Sequence, residues 1–272
     1  DAYSGRLVYY GDVTGDDMQA VSSTKRVANY YRFNFTKDDN PSSHWSYLYS
    51  IIQNCNLILM NIDKLVIDED DKAYRDDLKG EALAIRGLAL FDLTRIFGYP
   101  YLKDDGASLG VPIIEGLSTI DSKPTRNTVA QCYTKIIDDL TQSLSLLGEK
   151  FNKGKINKWG AMVLLSRVYL YKGENANALK MASDAITGAE KNKYALWTNE
   201  DYPTAWGEDA SASKPGEVLF EIVNLTTDSP GKESMGYLNS YDGYDDMCIT
   251  CSFYQFLKED PKDIRLKLLS FD

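Results

Sequence analysis

The sequence predicts a mainly α-helical fold, in which stacked helical hairpins are flanked by loop-rich segments with a few short strands. Apolar residues recur at helical spacing in five segments of the range 43–190. Small residues recur at regular offsets in two of those segments, which indicates closely packed helices. Aromatic and turn-forming residues dominate the flanks. We therefore predict one domain over 1–272, with a helical part at about 43–190 and a loop-rich part at 1–42 and 191–272.

Composition and charge exclude several kinds of partner. The chain has 272 residues and a net charge of −10, with a pI near 4.7. Proteins bind phosphate backbones through clustered lysine and arginine, and the sequence has no such cluster, so nucleic acid is not expected as a partner. No apolar run reaches the roughly 18 residues of a membrane-spanning helix. No signal peptide is recognisable, and any signal or membrane anchor is expected upstream of Asp1.

The first predicted helix follows a polar and aromatic segment. Residues 29–35 read Asn-Tyr-Tyr-Arg-Phe-Asn-Phe and lead into a loop that closes at Pro41. Ser42 or Ser43 can then cap a helix. The apolar side chains keep helical spacing as far as Ile62, which predicts an amphipathic helix.

The second predicted helix is apolar on most of its circumference and ends at Gly98. Acidic residues favour the positive end of a helix dipole, so Asp76 and Asp77 are expected to mark its start. A helix within a stack of hairpins contacts neighbours on two or three sides, which explains the wide apolar face. Arg86 is expected to reach the surface or to pair with an acidic residue such as Glu81.

More helices and a few strands are expected downstream. Helices are predicted at 125–147, 155–171, 175–190 and 252–257. Short apolar segments bounded by turn residues predict strands at 111–114 and 217–223.

The fourth and fifth helices have the spacing of a tetratricopeptide hairpin. In that repeat a large residue and an adjacent small one precede a tyrosine, and three small residues follow on the second helix. The matching residues are Leu165, Ser166, Tyr169, Ala178, Ala182 and Ala185. Small side chains allow the ridges of one helix to seat in the grooves of the other. The helices at 79–97 and 127–147 predict a looser copy of this hairpin.

Few residues support a catalytic or metal-binding role. The single histidine, His44, falls at a helix start, where a capping or surface role is expected. Cys248 and Cys251 form one CxxC motif, whereas a zinc site of this type needs a second pair of ligands. Cys55 and Cys132 fall on apolar helix faces and are expected to be buried free thiols. We therefore predict no metal and no cofactor.

Pairs of acidic residues leave one enzymatic alternative open. A glycoside hydrolase needs two carboxylates that converge on one bond, and 16–17 and 245–246 are the most prominent acidic pairs. Adjacent residues rarely place their carboxylates in that way, so loop capping is the expected role. The acidic run 68–71 lacks the alternating ligands and the glycine of a calcium loop.

Five stretches of the sequence, in a fixed order, together indicate a protein family. They are GDD (15–17), WSYLYSIIQNCN (45–56), GEALAIRGLALFDLTRIFG (80–98), TRNTVAQCYTKIIDDL (125–140) and KINKWGAMVLLSRVYLY (155–171). Together with 217–223 and 260–265, they resemble the SusD/RagB family of outer-membrane nutrient-binding lipoproteins of Bacteroidetes. The resemblance implies four tetratricopeptide-like hairpins and a loop-rich ligand-binding half.

The resemblance also implies a function and a location. Members of this family are surface-exposed lipoproteins of the outer membrane that bind glycans, or in some cases peptides, and deliver them to a SusC-like TonB-dependent transporter. The family's lipid-anchoring N-terminus and part of its C-terminal region have no counterpart here, so the chain is expected to be incomplete at both ends. We predict non-catalytic binding of oligo- or polysaccharides. A tetratricopeptide scaffold that binds peptides, or a helical glycoside hydrolase, remains the alternative.

The candidate ligand contacts are aromatic residues in loops, with one arginine. A sugar ring stacks its C–H face on tyrosine or tryptophan, and polar neighbours bind its hydroxyls. The candidates are Tyr30, Tyr31, Arg32, Trp206, Tyr237, Tyr241 and Tyr244.

Overall fold

The computed structural model describes residues 3, 6–36, 42–119, 121–152, 154–205, 216–223, 227 and 229–269. The chain divides into two compact units. The first unit comprises Asp1–Tyr47, Trp197–Ala210 and Asn224–Asp272, and the second unit comprises Leu48–Leu196 and Ser211–Val223. The assignment of 1–272 to one domain stays a prediction.

Helices dominate the described residues, as the sequence predicts. They are α1 (Arg6–Asp12), α2 (Ala28–Tyr31), α3 (Ser42–Asn61), α4 (Lys72–Phe97), α5 (Val129–Leu144), α6 (Lys158–Lys172), α7 (Asn175–Lys191), α8 (Tyr202–Ala205), α9 (Met235–Asn239) and α10 (Cys251–Lys258). Two strands, β1 (Met18–Ala20) and β2 (Met247–Ile249), pair antiparallel with Met18 opposite Ile249. Within the described ranges, none of the helices has the length and apolarity needed to cross a bilayer.

The hairpin of α6 and α7 packs through small residues at the predicted offsets. Gly173 ends α6 in the left-handed conformation (φ +84°), which favours glycine. The Ser166 hydroxyl donates to the backbone carbonyl of Ala178, with 2.8 Å between the oxygens. Gly188 lies so close to the Trp159 ring that a Cβ would stand 2.1 Å from it. Small residues therefore set the separation of these two helices.

Glycines also allow α4 and α5 to pack closely in a second hairpin. A Cβ on Gly80 would lie 2.9 Å from Leu147, and one on Gly87 would lie 3.1 Å from Leu140. Thr128 caps α5 in a capping box, so this helix begins later than residue 125, the predicted start. The second, looser hairpin that the sequence predicts is thus present.

The predicted start of α4 is wrong, because the helix begins at Lys72 rather than at Asp76 and Asp77. Asp71 occupies the N-cap position without a side-chain hydrogen bond to the helix end. Asp77 lies within the helix, and its carboxylate accepts a hydrogen bond from the backbone N–H of Gly148 at 2.8 Å. Its charge therefore fixes a neighbouring loop and does not mark the helix start.

Neither of the predicted strands forms. In 111–114, Pro112 offers no N–H for a ladder, and the side-chain oxygen of Asn127 accepts a backbone N–H of the segment at 2.9 Å. Residues 217–223 are irregular, and Leu219 packs against the buried core of the second unit. Val111 and Pro112 are buried without forming a strand, whereas 217–223 is only partly buried and Ile222 is exposed.

A buried ion pair joins α3, α4 and α5. Arg86 donates to the two carboxylate oxygens of Asp139 at 2.8 and 2.6 Å, and to the side-chain oxygen of Asn56 at 2.9 Å. Arg86 and Asp139 are both buried. Glu81, the partner suggested for Arg86, instead binds Lys155 at 3.2 Å. The buried guanidinium therefore depends on residues from three helices.

The first unit has a small core of its own. Its buried residues are Val13, Val27, Tyr30, Leu238 and Met247. α2 and α9 each contribute one of these side chains, and both strands contribute residues in or beside the cluster. The sequence does not predict β1 and β2, because three-residue strands are too short to show alternation.

The cysteines and the histidine are placed by packing. Cys55 and Cys132 are buried free thiols, as predicted. Cys248 lies in β2 and Cys251 begins α10, and both are free thiols. His44 is buried in the first turn of α3, so the expected surface position is wrong, and the capping role stays a prediction. Capping signals mark a helix end but do not reveal which of its faces is covered.

Candidate ligand-binding surface

A tight turn after α9 presents Tyr241. The Ser234 hydroxyl caps α9 by accepting from the backbone N–H of Tyr237. The backbone N–H of Tyr244 donates to the Tyr237 carbonyl at 2.8 Å and closes the turn. A Cβ on Gly243 would stand 2.0 Å from that same carbonyl, so the turn requires glycine. Tyr241, at the tip, is 70% exposed.

Tyr237 and Tyr244 lie beneath this tip as a contacting pair. Their ring centroids are 5.1 Å apart in an edge-to-face arrangement. The guanidinium of Arg26 lies 3.9 Å from the centroid of Tyr244 and covers one ring face. Arg26 is held in turn by Asp246 at 2.6 Å and Glu233 at 3.1 Å. Both tyrosines are half-buried and support the turn, so they offer less ring surface to a ligand than Tyr241 does.

The two acidic residues at 245–246 form ion pairs with basic side chains. Asp245 lies 3.3 Å from the ammonium of Lys25, and the buried Asp246 pairs with Arg26. A glycoside hydrolase needs two carboxylates that face one substrate bond. At 16–17, the backbone carbonyls accept hydrogen bonds from Thr250, which ties this loop to α10. The carboxylates of 245–246 are thus held in ion pairs, and the loop at 16–17 is held by its backbone.

Tyr30, one of the sequence candidates, belongs to the core of the first unit. The residue is 2% exposed. Its ring lies between Tyr10 and Phe35, at centroid distances of 6.0 and 5.6 Å. The neighbouring Tyr31 is 40% exposed, and Arg32 is exposed. One helical turn thus directs adjacent tyrosines to opposite environments.

Two exposed aromatic residues just after the candidates Tyr31 and Arg32 are not among the sequence candidates. Phe33 is 66% exposed, and Phe35, 6.3 Å from it between ring centroids, is 40% exposed. Phe33 follows the end of α2 with a φ of +54°, a left-handed position where glycine or asparagine is usual. The alternation of aromatic and polar residues in 29–35 is the signal that points to them.

The described part of the first unit exposes six aromatic side chains, including Tyr47 and Phe256. The four that lie in or just after α2 and α9 are named the exposed aromatic set. They are Tyr31, Phe33, Phe35 and Tyr241. α2 and α9, which carry or precede them, pack against the same small core. Trp206 lies outside the described residues. The ligand-binding roles of the sequence candidates stay predictions.

The part of the chain that the structure describes contains no group of three or more His, Cys, Asp or Glu side chains placed to hold a metal ion. The acidic residues of 68–71 belong to a short 3-10 turn and the start of α4.

Comparison with known proteins identifies the family. Residues 5–170, more than half of the chain, match the family SusD-like_3, which is described as starch-binding and associating with the outer membrane. The chain belongs to the SusD-like family. A curated SusD-like protein of Bacteroides ovatus is 28% identical over 135 residues, which is 49% of this chain and 23% of the relative.

Solved structures support the SusD-like fold over nearly the whole chain. A Bacteroides vulgatus protein described as sugar binding is 81% identical, with a TM-score of 0.96 over 99% of this chain and 60% of its own. A SusD superfamily protein of Bacteroides thetaiotaomicron is 38% identical, with a TM-score of 0.87 over 98% of this chain and 59% of its own. A laminarin-binding SusD-like protein, 20% identical, shares the fold with a TM-score of 0.77 over 96% of this chain and 61% of its own. The chain thus spans about three-fifths of these structures.

Proposed function

We propose that this SusD-like chain captures oligo- or polysaccharides at the cell surface without altering them. The observation that carries the proposal is the exposed aromatic set of the first unit, above all Tyr241 on its braced turn. The 81% identical relative is described as sugar binding, and the family as starch-binding. Those descriptions favour a glycan over a peptide as the ligand.

The geometry of the turn suits a sugar ring. Tyr241 exposes a flat apolar face with a polar hydroxyl, which matches the alternating C–H and O–H surfaces of a pyranose. The turn is fixed by a backbone hydrogen bond and by a glycine that nothing larger can replace. A side chain on a rigid turn loses little conformational freedom on binding, so more of the stacking energy is retained.

Delivery to a transporter completes the proposal. The family is associated with the outer membrane. The resemblance to SusD/RagB proteins supports a SusC-like TonB-dependent transporter as the partner, and a lipid anchor outside this chain as the attachment to the membrane. Arg26 and Lys25 are both engaged with acidic residues, which favours a neutral ligand over an anionic one at the turn.

Retardation in native gels that contain soluble polysaccharides tests glycan capture. We expect wild-type protein to be retarded by at least one glycan of a panel that includes starch and laminarin. Tyr241→Ala should weaken that binding roughly 2- to 10-fold, since an aromatic contact contributes about 0.5–1.5 kcal/mol. Trp206→Ala serves as a second variant from the sequence candidates.

Tyr99→Ala is the matched control. Tyr99 is 56% exposed but belongs to the second unit. Equal losses in Tyr241→Ala and Tyr99→Ala would contradict a site at the turn. Migration unaffected by any glycan would contradict glycan capture and direct attention to peptides.

A further inference from the structure

A second concave site lies at one end of the hairpins of the second unit. An open cleft of about 730 Å³ is bordered by the first turns of α4 and by the connection between α5 and α6. Its walls include Tyr74, Asp76, Asp77, Glu149 and Lys155. This volume falls within the roughly 300–1,000 Å³ that is usual for small-ligand sites.

The walls of this cleft are held in place by contacts of the protein itself. The Asp77 carboxylate accepts from the backbone N–H of Gly148 at 2.8 Å, and the Gly148 carbonyl accepts from the N–H of Lys158 at 3.0 Å. Leu147, the preceding residue, packs against Gly80 of α4. The α5–α6 connection is therefore fixed to α4, and the cleft exists before any ligand binds.

Three of the five charged residues that line the cleft are already in ion pairs. Lys155 binds Glu81 at 3.2 Å, and Lys158 binds Glu149 at 3.1 Å. Burial raises the pKa of Glu81, although its hydrogen bond to Lys155 opposes that shift. Asp76 is likewise paired with Arg75 at 2.7 Å, so a charged ligand would compete with these three pairs. A neutral ligand rich in hydroxyls can instead add hydrogen bonds to the remaining donors and acceptors.

Tyr74 gives the cleft an exposed aromatic ring, and Phe151 also lines it. Tyr74 is 61% exposed, and the ammonium of Lys155 lies 5.4 Å from its ring centroid. The buried side chain of Asn157, which also lines the cleft, is fixed by a hydrogen bond to the Tyr194 hydroxyl at 2.7 Å. An exposed ring beside fixed polar groups is the combination that sugar rings require.

We propose that the cleft at Tyr74 is a second binding site for one or two neutral saccharide residues, on the helical hairpins of the second unit. The site stands on its own cavity, ring and polar groups and does not depend on Tyr241.

Nuclear magnetic resonance of the Gly148 amide tests this site directly, because that N–H forms part of the cleft wall. Maltoheptaose and laminarihexaose are suitable probes, since the family is described as starch-binding and one relative as laminarin-binding. We expect one of them to shift the Gly148 resonance with saturation, both in wild-type protein and in Tyr241→Ala. Tyr74→Ala should weaken that response roughly 2- to 10-fold, and Tyr99→Ala should leave it unchanged.

The outcomes separate the two sites. A Gly148 resonance that neither sugar shifts overturns the second site, even where Tyr241→Ala reduces binding in gels. A shift that Tyr74→Ala leaves intact also overturns it. A Gly148 response that persists while Tyr241→Ala has no effect in gels supports the second site and contradicts the first. Tyr74 is exposed, so the thermal unfolding of Tyr74→Ala is expected to match that of wild-type protein.

Discussion

At the residue scale, Arg86 shows how one buried charge organises the helical unit. Its guanidinium is bonded to Asp139 and Asn56, and Lys135 lies 3.2 Å from the same carboxylate. Asn56 in turn donates to the carbonyls of Ile114 at 2.8 Å and of a nearby glycine. Asn56 thus links the segment between α4 and α5 to the buried ion pair.

Asp139→Asn should therefore lower the free energy of unfolding by about 3 kcal/mol, because it leaves a buried guanidinium without its counter-charge. Urea denaturation measures this change. Asp184→Asn is the control, since its partner Lys180 and the pair itself are exposed, and it should cost about 0.5 kcal/mol or less. Equal losses in the free energy of unfolding would show that the buried ion pair stabilises the fold no more than the exposed one.

Burial raises the pKa of Tyr133 from its usual value of 10.0 to about 12. The unfolded chain releases this proton near pH 10 while the folded chain retains it, so ionisation favours unfolding in that window. The contribution of Tyr133 is complete below pH 10 and is lost as the pH rises to about 12. Tyr133→Phe should lose less stability than wild-type protein between pH 10 and 12 in urea titrations. Equal losses of stability in wild-type protein and Tyr133→Phe over this pH range would contradict a contribution from Tyr133 ionisation.

At the element scale, the contact between α6 and α7 depends on the absence of a side chain at Gly188. A methyl group there would lie 2.1 Å from the Trp159 ring. Gly188→Ala should therefore cost about 1–3 kcal/mol despite the better helix propensity of alanine.

Gly236→Ala in α9 is the matched control for that prediction. No atom lies within 4 Å of the Cβ it would add, so this change should be neutral or should stabilise by up to about 1 kcal/mol. Thermal unfolding of both variants measures the contrast. A stable Gly188→Ala protein would show that the two helices can separate at little cost.

The long helices could be predicted from the sequence because their apolar periodicity is strong and their ends carry clear signals. The helix predicted at 155–171, for example, forms as α6 over Lys158–Lys172, between Asn157 and Gly173. The start of α4 could not be predicted, because Asp77 serves the Gly148 loop instead of the helix end. The segment 217–223 has a strand-like composition, but it packs on helices without a strand partner.

At the scale of the whole molecule, part of the candidate surface could be predicted from the sequence. Aromatic enrichment pointed to segments that expose aromatic side chains, and Tyr241 is exposed as expected. Sequence could not separate Tyr30 from Tyr31, because their exposure depends on a core built from residues more than two hundred positions apart, such as Leu238. The left-handed Phe33 was missed because that position usually takes a smaller residue.

We propose that a glycan binds to the exposed aromatic set of the first unit. A structure of the protein with a bound oligosaccharide tests this binding most directly. The oligosaccharide should be the one selected by the gel panel. We expect a sugar ring within about 4 Å of the Tyr241 ring, in face-to-face contact. An ordered oligosaccharide that touches none of Tyr31, Phe33, Phe35 or Tyr241 would contradict it.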